Sequence, residues 1–82
     1  MQSKLKNAKI LVIGGSGFIG SFLLKEILKE PVKKVIIYDN FSRGKIENIQ
    51  DILNDNRCSI FPYGGDIRDI DLLDKAMVGV DY

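Results

Sequence analysis

The 82-residue sequence contains no histidine, no tryptophan and only one cysteine, Cys58. Without histidine the chain lacks imidazole acid–base catalysis and the commonest metal ligand, and one thiol can build neither a zinc site nor an intrachain disulfide. A single cysteine also agrees with a reducing compartment, and we expect a cytoplasmic protein. The sequence therefore predicts no metal site.

Long apolar runs and an excess of one charge are also missing. Twelve basic residues against 11 acidic ones leave a net charge of +1, and no basic block is long enough to indicate nucleic acid or a membrane surface as a partner. The first apolar run, residues 10–13, is too short for a signal peptide or a membrane span. The composition favours a small polar or nucleotide ligand, and 82 residues allow at most one domain.

Four glycines directly follow that apolar run. They fit the Rossmann spacing Gly15-x-Gly17-x-x-Gly20 and also the spacing Gly14-x-x-Gly17-x-x-Gly20. Either spacing allows a tight turn after a strand, close approach of the backbone to a pyrophosphate, and a helix amino end whose amides face the anion. A plain turn is the alternative. A Walker-type phosphate loop is excluded because Ser21 stands where that motif requires lysine.

The rest of the chain alternates short β-rich runs with helical periodicity. We expect strands at 10–13, 35–38 and 58–63, and helices at 18–30, at 45–54 and from a cap at Asp66 or Asp69 to Gly79. This β-α-β-α-β-α order predicts an α/β partial Rossmann fold, with a parallel three-stranded sheet and helices on both faces. Residues 80–82 look like the approach to a fourth strand. We therefore expect residues 10–13 to be a sheet edge with unpaired backbone groups, which favours self-association.

Asp39 ends the second expected strand, 19 residues after Gly20 and near the spacing of about 20 expected for an acid that binds the adenosine ribose. A carboxylate at this position can accept both ribose hydroxyls and repels a 2′-phosphate, which favours NAD over NADP. Arg43 and Lys45 lie close enough in the sequence to soften that repulsion. The alternative is an Asp that only forms a turn.

Asp66 follows the third expected strand. The carboxyl ends of parallel strands share one edge of the sheet, so Asp66 is expected near the glycine turn and Asp39. Its carboxylate can accept a hydrogen bond from an adenine amino group, with Ile67 against the base. The alternative is a helix N-cap.

No side chain in the chain is a candidate general acid or base. Tyr38, Tyr63 and Tyr82 are scattered, and none of them begins a Tyr-x-x-x-Lys pair. Cys58 lies inside an expected strand with no base beside it, which indicates buried packing rather than a nucleophile. The sequence therefore predicts no catalytic residue.

Three segments carry a resemblance to a known family. They are Gly-Gly-Ser-Gly-Phe-Ile-Gly at 14–20, Tyr-Asp-Asn-Phe-Ser-Arg-Gly-Lys at 38–45 and Gly-Asp-Ile-Arg-Asp at 65–69. In this order and at these intervals, the segments resemble the amino-terminal part of the extended short-chain dehydrogenase/reductases. Within that family, the chain is most similar to the nucleotide-sugar epimerases and dehydratases of the UDP-glucose 4-epimerase type.

The resemblance implies that residues 1–82 are the amino-terminal part of a Rossmann NAD-binding domain, without the substrate domain. The family chemistry is transient oxidation of a sugar hydroxyl by NAD, with a Tyr-x-x-x-Lys pair that lies further along the family's chains. The resemblance also implies a nucleotide-sugar substrate and a homodimer. The implied cofactor-binding residues are Gly14, Gly17, Phe18, Ile19 and Gly20 at the pyrophosphate, Asp39, Asn40, Ser42 and Lys45 around the ribose, and Asp66 with Ile67 at adenine.

Two further functions stay open at this point. A dinucleotide-binding or sensor module needs the same three segments but no acid or base. A fragment of a Rossmann sheet that binds nothing needs only the alternation of strands and helices. A Tyr-x-x-x-Lys pair encoded after Tyr82 would favour the enzyme.

Overall fold

The computed structural model describes residues 5–14, 17–41, 45–62 and 66–82, with Phe18 described through its backbone alone. Three strands form one parallel sheet in the order β1-β2-β3. The strands are β1 (Lys9–Ile13), β2 (Lys34–Tyr38) and β3 (Cys58–Ile60). The helices are α1 (Phe18–Leu28), a 3₁₀ turn (Ile46–Ile49) that runs into α2 (Gln50–Leu53), and α3 (Ile70–Ala76).

One face of the sheet forms the main core. Because side chains alternate along a strand, Ile10 and Val12 of β1 share a face with Val35 and Ile37, their register partners on β2. These side chains are buried against Leu24 of α1, which is fully buried, and complete burial of one such side chain stabilises the fold by about 1.5 to 3 kcal/mol. The remaining buried members of this core are Ala8, Val32, Ile49, Ile52 and Cys58.

α3 lies on the opposite face of the sheet. Ile36 lies between Val35 and Ile37 on β2 and therefore points to the other side, where it lines a cavity of about 250 Å³ together with Ala76 of α3. Ile36 and Ala76 are both buried. The prediction of a parallel three-stranded α/β sheet with helices on both faces is confirmed.

The helices are shorter than the sequence pattern predicts. α1 ends at Leu28 rather than at residue 30, and the amides of Lys29 and Glu30 instead bond to carbonyls three residues back. The residue before Pro31 is also disfavoured in a helix. The second expected helix, residues 45–54, begins as the 3₁₀ turn and is α-helical only over Gln50–Leu53.

The apolar face expected for α1 is only partly buried. Leu24 is buried, and Ile27 and Leu28 pack against the core. Ile19 is 82% exposed, however, and Phe22 also faces solvent. Helical periodicity gives the apolar positions but not how much of the stripe the neighbouring elements cover.

The expectation of an unpaired edge at β1 is wrong at the start of that strand. The Lys9 carbonyl accepts from the amide of Asp81 at 2.8 Å, and the amide of Leu11 donates to the Tyr82 carbonyl at 3.0 Å. The amide of Lys9 also donates to Oδ2 of Asp81 at 2.9 Å. Residues 81 and 82 therefore pair with the outer side of β1 as far as Leu11.

Candidate functional site

The candidate site lies at the carboxyl edge of the sheet, where three loops leave three parallel strands. Gly14 follows β1, Asp39 follows β2, and the chain after β3 leads to Asp66. The amide of Gly14 donates to the Tyr38 carbonyl at 2.9 Å, which joins the first two loops directly. Ligands of doubly wound sheets bind outside this edge.

Gly14 occupies a backbone conformation that favours glycine. Its φ is +78°, in the left-handed region that other L-residues enter at a cost. Gly17 differs, because its φ is −73° and an added Cβ would lie 3.5 Å from the Gly14 carbonyl oxygen, an ordinary contact. The backbone conformation thus favours glycine at Gly14, whereas the described contacts of Gly17 leave room for a side chain. Gly15 lies outside the described residues.

The amino end of α1 supplies amides for an anion. Gly17 is its N-cap residue and forms no side-chain cap, and the described first turn contains no acidic residue. The first amide to bond within the helix is that of Ser21, which donates to the Gly17 carbonyl at 2.8 Å. The three preceding amides, at residues 18–20, belong to the first turn, where the helix itself provides no acceptor. With the positive end of the helix dipole, they suit a pyrophosphate.

Asp39 is half-buried at the end of β2. Its Oδ1 accepts from the amide of Phe41 at 2.8 Å, which closes an Asx turn, and Phe41 has a φ of +58°. The turn-forming role proposed as the alternative is therefore real. A carboxylate offers about four acceptor positions, so this bond alone is compatible with ribose binding.

The other expected ribose residues are less well placed by the fold. Asn40 and Lys45 are both exposed, and Lys45 precedes the 3₁₀ turn in extended conformation. Ser42 and Arg43 lie outside the described residues. Nothing in the described part of the chain brings Lys45 to Asp39.

Asp66 is held by Arg68 rather than by a helix. Its Oδ1 accepts from the amide and Nε of Arg68 at 2.9 and 3.0 Å, and its Oδ2 accepts from the guanidinium Nη2 at 2.8 Å. These bonds, led by the side-chain pair, lower the pKa of Asp66 to about 2 and keep it ionised. The alternative of Asp66 as a helix N-cap is wrong, because the cap of α3 is Asp69, whose Oδ1 accepts from the Leu72 amide.

The surface beside Asp66 suits the base of a nucleotide better than its phosphates. Ile67 is 61% exposed there, which leaves an apolar side chain available to a planar ring. A shallow depression of about 620 Å³ continues from Asp66 and is also lined by Arg68, which pairs with Asp66, and by two further carboxylates, those of Asp69 and Asp71, so its net charge is negative. Like charge would repel a phosphate from this depression.

The contact of Tyr38 with the Asp66 loop was not predicted from the sequence. Tyr38 is fully buried, and its hydroxyl donates to the Asp66 carbonyl at 2.8 Å. Its ring packs against Phe61 with ring centroids 5.6 Å apart. The signal available in the sequence was a tyrosine directly before Asp39, at the end of a strand expected to be buried, where a hydroxyl needs a partner.

The sequence predicts neither a metal site nor a membrane span, and the described residues bear on both features. Within residues 5–14, 17–41, 45–62 and 66–82, no group of three or more acidic, cysteine or histidine side chains could hold a metal ion. In the same part of the chain, no helix has both the length and the apolar character that crossing a membrane requires.

Comparison with known proteins places the chain in a family. The family model described as GDP-mannose 4,6 dehydratase matches residues 11–82. UDP-glucose 4-epimerase from Neisseria meningitidis serogroup B is 40% identical over 65 residues, which is 79% of this chain and 19% of that protein. UDP-glucuronic acid decarboxylase 6 from Arabidopsis thaliana is 39% identical over 57 residues, which is 61% of this chain and 17% of that protein.

A solved structure shares the fold of this chain. The Bordetella bronchiseptica enzyme WbmF, crystallised in complex with NAD⁺, superposes with a TM-score of 0.80 at 32% identity. The match covers 98% of this chain and 23% of WbmF, so the chain spans under a quarter of the length of that enzyme. On the family model and these relatives, the chain belongs to the GDP-mannose 4,6-dehydratase family of nucleotide-sugar epimerases and dehydratases.

Proposed function

We propose that this chain is the NAD-binding portion of a nucleotide-sugar epimerase or dehydratase. The observation that carries the proposal is the convergence at one sheet edge of an uncapped helix amino end, a carboxylate after β2 and a carboxylate after β3. These features match, in order, the pyrophosphate, ribose and adenine of a dinucleotide. WbmF, which superposes on nearly the whole chain, was crystallised with NAD⁺, and this supports the choice of cofactor.

Each candidate residue has one task in this proposal. The glycine turn and the first turn of α1 hold the pyrophosphate, Asp39 accepts the ribose hydroxyls, and Asp66 with Ile67 holds adenine. Because Asp39 is a carboxylate at the ribose position, the site binds NAD in preference to NADP. The proposed cofactor-binding residues are Gly14, Gly17, Phe18, Ile19, Gly20, Asp39, Asn40, Ser42, Lys45, Asp66 and Ile67.

The chemistry of the whole protein follows the family. NAD supplies a reversible hydride acceptor for a carbon that bears a hydroxyl on the sugar. This chain contributes binding and orientation, because it contains no Tyr-x-x-x-Lys pair and no histidine that could take the hydroxyl proton. In this proposal, the sugar-nucleotide site and the catalytic base of the family enzyme lie outside these 82 residues.

The alternative is a dinucleotide-binding module without catalysis. The lack of a general base among these 82 residues is compatible with either function, whereas the family membership favours the enzyme. The two are separated by assaying the whole protein that carries this chain with NAD and candidate UDP-sugars. Turnover of a sugar nucleotide supports the enzyme, and tight NAD binding with no turnover of any candidate supports the module.

Binding itself is tested by calorimetric titration of NAD and NADP, with Asp39→Ala as the variant. We expect NAD to bind more tightly than NADP, and the variant to narrow the difference by about 1 to 3 kcal/mol, the value of one or two hydrogen bonds to a charged group. Asp51→Ala is the matched control, because Asp51 is an exposed carboxylate on α2. Equal affinities of the unaltered chain for both cofactors would contradict the role given to Asp39.

A further inference from the structure

Tyr38 contacts all three loops of the candidate site. Its carbonyl accepts from the Gly14 amide, its own backbone leads directly into Asp39, and its hydroxyl donates to the Asp66 carbonyl at 2.8 Å. Any residue could supply the backbone contacts. Only the hydroxyl is particular to tyrosine, and it reaches the loop expected to hold adenine.

The hydroxyl has a defined position because the ring around it is fixed. Tyr38 has no exposed surface, and its ring packs against Phe61 in a tilted arrangement. Burial first, and then the negative charges of Asp69 and Asp66, raise the pKa of the Tyr38 hydroxyl above its ordinary value. The phenol is therefore protonated around neutral pH and can donate to Asp66.

The Asp66 carbonyl accepts two hydrogen bonds, one from the Tyr38 hydroxyl and one from the amide of Asp69 at 3.1 Å. The second bond belongs to the turn that enters α3. Without the Tyr38 hydroxyl the carbonyl would still have a partner, so the fold would lose little. What would be lost is the link between the end of β2 and the position of Asp66.

We propose that Tyr38 is a positioning residue of the adenine subsite, which holds Asp66 and Ile67 at a fixed place relative to Asp39; the proposal rests on the NAD-binding function given above. Asp66 presents its carboxylate, oriented by Arg68, to the 6-amino group of adenine. Tyr38 thereby determines selectivity for adenine over bases that carry an oxygen at that position.

The test compares NAD with nicotinamide hypoxanthine dinucleotide, in which a carbonyl replaces the 6-amino group. For each variant, both dissociation constants are measured by calorimetry in the whole protein, and the constant of the hypoxanthine dinucleotide is divided by that of NAD. A ratio above one means that the protein prefers NAD. Loss of folded protein lowers the apparent affinity for both ligands equally, so the ratio does not respond to a merely structural defect. We expect the unaltered protein to favour NAD, and Tyr38→Phe to reduce the ratio about fivefold, the value of one hydrogen bond.

Two control variants separate the hydroxyl from the packing around it. Tyr82→Phe removes a hydroxyl from an exposed tyrosine, and Phe61→Leu disturbs the ring contact while Tyr38 keeps its hydroxyl. Tyr82→Phe is expected to keep the ratio of the unaltered protein, whereas Phe61→Leu, because it loosens the ring that carries the hydroxyl, is expected to lower the ratio by less than Tyr38→Phe does. An unchanged ratio in folded Tyr38→Phe would overturn the role of Tyr38 and leave NAD binding intact.

The outcomes also distinguish this inference from the proposed function. Failure of the unaltered protein to bind NAD would overturn both. Equal binding of the two dinucleotides by the unaltered protein would overturn only the adenine subsite. If Tyr38→Phe does not fold, nuclear magnetic resonance of the unaltered protein decides. The proposal then requires that AMP shift both the ring signals of Tyr38 and the amide signal of Ile67. If AMP shifts neither signal, the proposal is contradicted.

Discussion

The guanidinium of Arg57 donates to the Leu28 carbonyl at 2.7 Å and to the Glu30 carbonyl at 2.9 Å, so a residue just before β3 caps the carboxyl end of α1. The last carbonyls of a helix have no partner within it. Asp55 holds the guanidinium in place through a pair of hydrogen bonds from Nε and Nη2. This contact ties α1 to the third strand at the end of the sheet opposite the candidate site.

Replacing Arg57 by Ala should lower the free energy of unfolding by about 1 to 3 kcal/mol, because it removes charge-assisted hydrogen bonds to the Leu28 carbonyl at the end of α1 and to the Glu30 carbonyl just beyond it. Urea denaturation of the chain measures the change. Arg68→Ala is the control, since Arg68 is also paired with an aspartate two residues before it but its side chain is 87% exposed. Equal losses for the two variants would show that α1 does not depend on this cap.

The free energy of unfolding should decrease as the pH is lowered, because Asp55 becomes protonated. Hydrogen bonds from the side chain and backbone of Arg57 lower its pKa from 3.8 to about 2 in the folded chain. A depressed folded pKa means that the unfolded state binds the proton more tightly, so the stabilisation is complete above about pH 4 and is lost as the pH falls to 2. Urea midpoints of the unaltered chain and Asp55→Asn between pH 2 and 6 check this. Their difference should shrink as the pH falls, and a constant difference would contradict it.

Replacing Gly17 by Ala should affect ligand binding more than folding. The added methyl group meets only the Gly14 carbonyl, at an ordinary distance, so the free energy of unfolding should change by about 1 kcal/mol or less. NAD affinity should fall, because the methyl group would stand between the backbone and the pyrophosphate. Thermal unfolding and calorimetry are measured on the same variant.

The matched comparison uses two glycines with positive φ. Gly14→Ala and Gly79→Ala should each destabilise the fold by about 1 to 2 kcal/mol, because their φ values are +78° and +73°. Gly79 lies after α3, away from the candidate site. A Gly17→Ala variant that unfolds as readily as these two, or that binds NAD normally, would refute the ligand-based explanation.

The 82-residue chain on its own should self-associate through the part of the β1 edge that lies beyond Leu11, where residues 81 and 82 no longer pair. Sedimentation across concentrations measures it, and Ile13→Lys is expected to weaken it. Ile13 is suited to this test because it is 52% exposed, whereas Val12 is in the core and a charge there would unfold the chain. A monomer at all concentrations would show that the pairing of residues 81 and 82 suffices to protect the edge.

The order of strands and helices could be predicted from the sequence because it depends on local patterns. Apolar runs without alternation indicate buried parallel strands, and helical periodicity between them requires crossover connections. The carboxyl-edge position of Asp39 and Asp66 followed directly, since each comes after a parallel strand. A glycine in the tight turn after β1 was predicted as well, but the two possible spacings left Gly14 and Gly15 open, and the structure gives the positive φ of Gly14.

Other features were decided only by tertiary structure. The lengths of the helices, the exposure of Ile19 and the pairing of residues 81 and 82 with β1 depend on which surfaces meet, and no local pattern records that. The partner of Asp66 also could not be read from the sequence, because Asp66 and Asp69 are equally good helix caps and only the folded chain gives that task to Asp69. Tyr38 is the clearest case. Its hydroxyl and the Asp66 carbonyl are 28 residues apart in the chain, and they meet only because parallel pairing places the ends of β2 and β3 side by side.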